Sequence, residues 1–157
     1  MKRGPYLVGV ISDTHGLLRP EALRALSGAD LVIHAGDIGK AEVLSALKSI
    51  APVVAVRGNN DEGRWARGLP QTAVAEVGEV RIFVLHNIKK LGLDPMAKGF
   101  RVVISGHSHR PSMRQENGVL YLNPGSAGPR RFKLPVAVAR LWVRGPSVDA
   151  EIVELEV

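Results

Sequence analysis

The chain has 157 residues, enough for one domain with a substantial core and too few for two catalytic domains. Its 45% apolar and 23% charged residues exclude a disordered or collagen-like chain, and the absence of cysteine excludes a disulfide framework, a thiolate nucleophile and thiolate-bound zinc. A net charge of +6 favours anionic partners, but with only 4% aromatic residues and scattered cations no dedicated nucleic-acid binding is expected.

Residues 1–5 carry positive charge, yet the apolar stretch behind them is broken by Ser12, Asp13, Thr14 and His15 and holds no small-residue cleavage site, so no signal peptide is expected. No apolar run approaches the ~18 residues of a membrane span. A cytoplasmic protein without membrane contact is the expectation.

Five short apolar runs, 6–11, 31–33, 52–56, 82–85 and 102–104, read as buried strands from their length and β-branched content. Between the first two, Pro20 and Glu21 mark a helix start, Leu23 and Leu26 share a face, and Gly28 offers a stop. Val43, Leu44, Leu47 and Ile50 recur at helical spacing before Pro52. This strand-helix-strand-helix-strand opening calls for parallel strands with right-handed crossovers.

Hairpins follow. Gly78-Glu79 joins 73–77 to 80–85, Asn117-Gly118 joins 112–116 to 119–122, and residues 145–147 join 136–143 to 148–157. In the last strand the apolar phase slips from Val148, Ala150 and Ile152 to Val153, Leu155 and Val157, which predicts a bulge. Residues 88–100 are expected to hold a short helix despite Pro95. The sum is a single α/β domain over 1–157, a four-layer α/β/β/α sandwich of two facing mixed sheets, one mostly parallel and one richer in antiparallel pairs.

The polar residues after the five runs are ligands: Asp13 and His15; Asp37; Asn59, Asn60 and Asp61; His86; His107 and His109. Ligands gather at the carboxyl ends of strands in open α/β sheets, so these distant segments should open on one cleft. Residues two apart in extended chain point to one side, so Asp13 with His15, and His107 with His109, should each face a common point. Carboxylate, imidazole and amide oxygen suit divalent Mn, Fe, Zn or Ni. His34 reads as a core or supporting residue, Arg130 as a solvated loop arginine, and Trp65 either as a cover for substrate or as part of a satellite apolar cluster.

In this order, Asp13-x-His15, Gly36-Asp37, Gly58-Asn59-x-Asp61, His86 and Gly106-His107-x-His109 resemble the signature of the calcineurin-like metallophosphoesterase superfamily. With the Asn123-Pro124-Gly125-Ser126 segment, the chain is similar to the small single-domain bacterial and archaeal phosphodiesterases of that group. The resemblance implies two divalent ions, manganese first and nickel, zinc or iron otherwise. Asp13, His15, Asp37 and His109 would hold one ion and Asp37, Asn59, His86 and His107 the other, with Asp37 bridging and a hydroxide as nucleophile. Asn60 and Asp61 take the catalytic positions. Many relatives have histidine where Asn60 stands, able to protonate a departing alkoxide as an amide cannot, and Asp61 then loses its usual partner. A glycine commonly follows the histidine where this chain has His86-Asn87.

The function implied is a metal-dependent phosphodiesterase acting on a small phosphodiester or other phosphorylated substrate. The alternatives are a phosphomonoesterase or protein phosphatase, or a non-catalytic metal-binding scaffold like the superfamily's retromer subunit. A homo-oligomer is compatible with the sequence.

Overall fold

The six residues of β1 (Tyr6–Ile11) run from half-buried to fully buried, and the chain leaves them at the site rather than in solvent. The computed structural model describes residues 5–157; the basic residues 1–4, part of the leader reading above, lie outside the described residues. After β1 come α1 (Pro20–Ala25), β2 (Leu31–His34), α2 (Ala41–Lys48) and β3 (Val53–Ala55). Pro20 opens α1, where a missing N–H costs nothing, and Val43 and Leu47 form the buried stripe of α2. The strands β1, β2 and β3 are parallel neighbours, as the opening pattern requires.

The hairpins form where their turn residues put them: β4 (Thr72–Val77) with β5 (Val80–Leu85), β7 (Ser112–Glu116) with β8 (Val119–Asn123), and β9 (Ala137–Arg144) with β10 (Ser147–Glu154). Asn117 and Gly118 have φ of 51° and 76°, the left-handed pair of a type I′ turn. With β6 (Val102–Ile104), these complete two five-stranded sheets, ordered β10-β9-β1-β2-β3 and β4-β5-β6-β8-β7. Each sheet has two parallel and two antiparallel pairs, so the expected division into a mostly parallel and a more antiparallel sheet is not found. The reason is long-range: the β9–β10 hairpin docks antiparallel on the free edge of β1, while crossovers make β5, β6 and β8 parallel.

Val8, Val10 and Ile33 of the first sheet meet Ile82, Ile104 and Leu122 of the second in the main core. Each such side chain contributes about 1.5–3 kcal/mol on burial. The outer face of the first sheet packs Ile11 and Val32 under Leu26, Val43 and Leu47 of the helical layer. On the outer face of the second, Phe83, Val103 and Val119 are covered by Phe100 and by Ile88, Leu91 and Leu93. The α/β/β/α layering is therefore present with its last layer reduced. The helix expected over 88–100 is only a 3-10 turn at Ile88–Lys90, after which Leu91 goes extended at ψ 110° and Gly92 and Pro95 prevent helical continuation.

No bulge interrupts β10, whose register with β9 runs unbroken from Ser147↔Arg144 to Glu154↔Ala137. The phase change has another cause. Val148, Ala150 and Ile152 face the core between the sheets, whereas Val153 and the buried Leu155 pack on the helical side. No helix among the described residues is long and apolar enough to cross a membrane.

The candidate metal centre

Every motif lies just past the carboxyl end of a parallel strand, and backbone hydrogen bonds lash these loops together. Asp13 N–H donates to the Gly36 carbonyl at 3.0 Å, Gly106 N–H to that of His86 at 2.9 Å, and Ala127 N–H to that of Ser12 at 3.0 Å. The second joins two loops of the second sheet and the third ties that sheet to the first, so one cleft collects side chains from β1, β2, β3, β5 and β6.

Among the described residues, seven other than glycine have positive φ, and five of them are Asp13 (55°), His15 (48°), Asp37 (55°), His107 (71°) and His109 (62°). Backbone in this basin is uncommon outside glycine, asparagine, aspartate and histidine, and is held at functional sites at a cost of order 1–3 kcal/mol each. This corrects the extended-chain rationale for the two pairs. Asp13 and His15 do converge, with His15 Nε2 3.8 Å from Asp13 Oδ1, but through left-handed turns. His107 and His109 diverge instead: His107 reaches toward Asn59 and His86, His109 toward Asp13 and His15.

Two foci result. At the first, Asp13 Oδ1 lies 3.3 Å from His109 Nε2, and the Nε2 atoms of His15 and His109 are 3.4 Å apart. At the second, Asn59 Oδ1 lies 3.0 Å from His86 Nε2 and 3.2 Å from His107 Nδ1. Asp37 sits between them, its Oδ2 3.3 Å from His86 Nε2 and 3.7 Å from His15 Nε2.

These atoms fit a divalent cation better than they fit one another. The Asp13 side chain is fully buried, and its Oδ2 is engaged by the Ser12 hydroxyl at 2.6 Å and the His107 N–H at 3.0 Å, while its Oδ1 has no hydrogen-bond partner. His86 Nδ1 donates to the Ala35 carbonyl at 2.7 Å, so in neutral imidazole Nε2 presents a lone pair to the oxygens of Asn59 and Asp37. Lone pairs facing lone pairs at this burial are relieved by a cation among them, or by a proton on His86 when no ion is bound. In two groups, Asp13 with His15 and His109 and Asp13 with Asp37 and His86, the ligand atoms all lie within 4.8 Å of one another.

The electrostatics keep the carboxylates charged. Burial alone would raise Asp13, but the facing His109 and the Ser12 hydroxyl outweigh it and hold the carboxyl below its ordinary value. Asp37 is likewise pushed up by burial and brought well down by His86 and the Asn60 N–H. Burial lowers His86, and the Asp37 carboxylate and Ala35 carbonyl more than reverse this.

Asn60 is exposed and faces Asp37, donating its backbone N–H to Oδ1 and its side-chain N–H to Oδ2. Asp61 is buried, and its two oxygens accept three backbone N–H groups, from Ile38, Gly39 and Gly58. His34 is fully buried: its Nδ1 accepts from Gly36 N–H, and because the Thr14 hydroxyl donates to the Ile38 carbonyl, His34 Nε2–H donates to Thr14. Trp65 packs into the helical-side cluster and Arg130 is exposed.

Sequence reasoning missed the hydroxyls that aim Asp13, since a serine beside a ligand carries no periodic signal. Ser12 engages its carboxylate and Ser126 donates to its carbonyl at 3.0 Å. Asn123 pins the His107 loop by donating to the Gly106 carbonyl at 2.9 Å. Gly106 leaves room for all this: a Cβ there would fall 2.0 Å from Ser12 Oγ and 2.6 Å from Asp13 Oδ2.

Residues 6–145 match the model of the calcineurin-like phosphoesterase superfamily domain. A probable metallophosphoesterase of Methanocaldococcus jannaschii is 36% identical, the match covering 98% of this chain and 83% of the relative. A phosphodiesterase of the same organism is 28% identical over 75% of this chain and 82% of its own length. Vacuolar Protein Sorting 29 from Cryptosporidium parvum, 22% identical, shares the fold with a TM-score of 0.82 over 96% of this chain and 92% of that one. Two sandwiched mixed sheets, a cluster of candidate metal ligands at their strand ends and a family match over nearly the whole length agree: the chain belongs to the calcineurin-like phosphoesterase superfamily.

Proposed function

We propose that the protein is a divalent-metal-dependent phosphodiesterase with two ions. Asp13, His15, Asp37 and His109 would hold one, and Asp37, Asn59, His86 and His107 the other, within a single domain. One observation carries this reading: Asp37 Oδ2 faces both His15 and His86, at 3.7 and 3.3 Å, so one carboxylate oxygen serves both foci. The mixed oxygen and nitrogen donors suit manganese first and accommodate nickel, zinc or iron. When bound, such ions supply Lewis acidity to a phosphoryl oxygen and make water acidic enough to attack phosphorus near neutral pH.

The chain's own residues do the rest. Ser12 and the His107 N–H occupy Asp13 Oδ2 and leave Oδ1 for the cation. The Ala35 carbonyl fixes the His86 tautomer. Asp61 positions the loops around Asp37 rather than reacting, because both its oxygens are held by backbone N–H groups. As the bond from phosphorus to the new oxygen forms and the bond to the departing arm breaks, Asn60 has no proton to give. The departing oxygen takes its proton from water, so diesters with acidic leaving groups react best. The phosphodiesterase relative supports the diester assignment over the monoester one.

The test is hydrolysis of bis(4-nitrophenyl) phosphate and 4-nitrophenyl phosphate with Mn²⁺, Ni²⁺, Zn²⁺ or Mg²⁺. The diester should turn over faster, and chelation should abolish the rate. A faster monoester would move the reading to a phosphomonoesterase; no hydrolysis of either at full metal occupancy would overturn it.

A further inference from the structure

A cleft of about 580 Å³ opens beside Asn59, His86 and His107, on the side of the second focus. Its remaining wall is built from Arg57, Gln71, Thr72, Asn87 and Lys90 as the polar residues, with Leu85 the one aliphatic side chain. No carboxylate lines it, and its only rings are those of His86 and His107. A pocket of this kind has no Phe, Tyr or Trp face for a nucleobase to stack on. It offers instead two cations, three amides and a hydroxyl.

Among the described residues neither cation has an anionic partner. Arg57 is half-buried, and its Nε donates to the Asp61 carbonyl at 2.8 Å, which orients the guanidinium while its Nη groups find no partner among the described residues. Lys90 is exposed and has no ion pair among the described residues. Its place is set by the residue that departs from the family pattern. The Asn87 side chain accepts the Lys89 N–H at 3.1 Å and the Asn87 carbonyl accepts the Lys90 N–H at 2.9 Å, so Asn87 starts the 3-10 turn that carries Lys90 to the wall.

We infer that this cleft is a subsite for one arm of the diester, a hydroxylated arm such as a polyol or sugar that carries a second phosphate, bound by Arg57 and Lys90. Guanidinium and ammonium groups beside amide and hydroxyl donors match phosphate oxygens and hydroxyls. This rests on the phosphodiesterase reading for the position of the first phosphate and adds the class of its substituent.

Calorimetry on the metal-loaded protein, with glycerol 1-phosphate and glycerol 1,3-bisphosphate as probes, tests it without turnover. The bisphosphate should bind about tenfold more tightly, the scale of one charge-assisted hydrogen bond, and the advantage should shrink with added salt. Lys90→Ala should cut the advantage to about threefold or less, and Lys90→Glu should abolish it. Equal affinities in the wild type, or an advantage untouched by both substitutions, would overturn the inference while bis(4-nitrophenyl) phosphate hydrolysis kept the underlying reading intact. Loss of that hydrolysis in the metal-loaded wild type would sink both.

Discussion

Asn60 and Asp37 form a two-point pair, the backbone N–H of Asn60 meeting Oδ1 at 2.9 Å and its side-chain N–H meeting Oδ2 at 3.2 Å. The side-chain contact ties an exposed amide to the shared carboxylate, where a proton donor would serve a departing alkoxide. Asn60→His should therefore raise kcat/KM for alkyl leaving groups by about 10²-fold or more, within the 10²–10⁴ typical of general acid catalysis, and change aryl rates far less. The pH–rate profile should gain a basic limb. Paired alkyl and aryl diesters measure this, and an unchanged alkyl rate would refute it.

Gly106→Ala should abolish tight metal binding. Its Cβ would collide with Ser12 Oγ and Asp13 Oδ2, both on buried residues of a loop with no room to retreat. Overpacking of this kind costs about 1–3 kcal/mol, so the variant should fold, with a lower Tm and metal content falling well below that of the wild type. Elemental analysis beside thermal melts distinguishes this from simple unfolding.

Asp61→Ala should be the more destabilising change, although Asp61 sits beside rather than among the proposed ligands. It would strand three backbone N–H groups, each worth about 1–3 kcal/mol when buried without a partner. A loss of about 3 kcal/mol or more in urea unfolding is expected. Asp61→Asn should recover only part, because one of its two oxygens becomes a donor facing other donors.

His34 gives the metal-free protein a pH dependence. Burial lowers its imidazole to about 4, the pull of Asp13 and Asp61 in the other direction being insufficient. The unfolded chain therefore binds a proton that the folded chain does not between roughly pH 6.5 and 4, and stability falls as pH drops through that window, by about 3 kcal/mol. His34→Asn keeps an acceptor for the Gly36 N–H and removes the titration. Its urea stability should start lower at pH 7 and then decline less steeply than the wild type's; parallel slopes would contradict this.

Local elements were legible in the sequence because local chemistry determines them. The run 6–11, the Asn117-Gly118 turn and the Val43 and Leu47 stripe all stand where the residues put them. Misreadings came from distant partners. Nothing within residues 148–157 reveals that the half-buried Ile152 and Val153 pack on opposite faces, so a change of covering layer looked like a bulge. Nothing in 136–143 reveals that β9 will choose β1. At the site, the gathering of these residues at the strand ends was legible from residue type and spacing, but its geometry was not. Extended alternation was the wrong rationale for the two pairs, since left-handed turns send His107 and His109 to different foci.

The clustered side chains come from both halves of the sandwich: Asp13, Asp37 and Asn59 follow strands of one sheet, and His86, His107 and His109 follow strands of the other. Cations seated among them would act as a rivet through the rim. Chelation then unfastens that rim while the valines and isoleucines farther in keep the halves joined, so amide exchange on stripping the ions should quicken first in the loops after β1, β2 and β6 and last at the centre of β5.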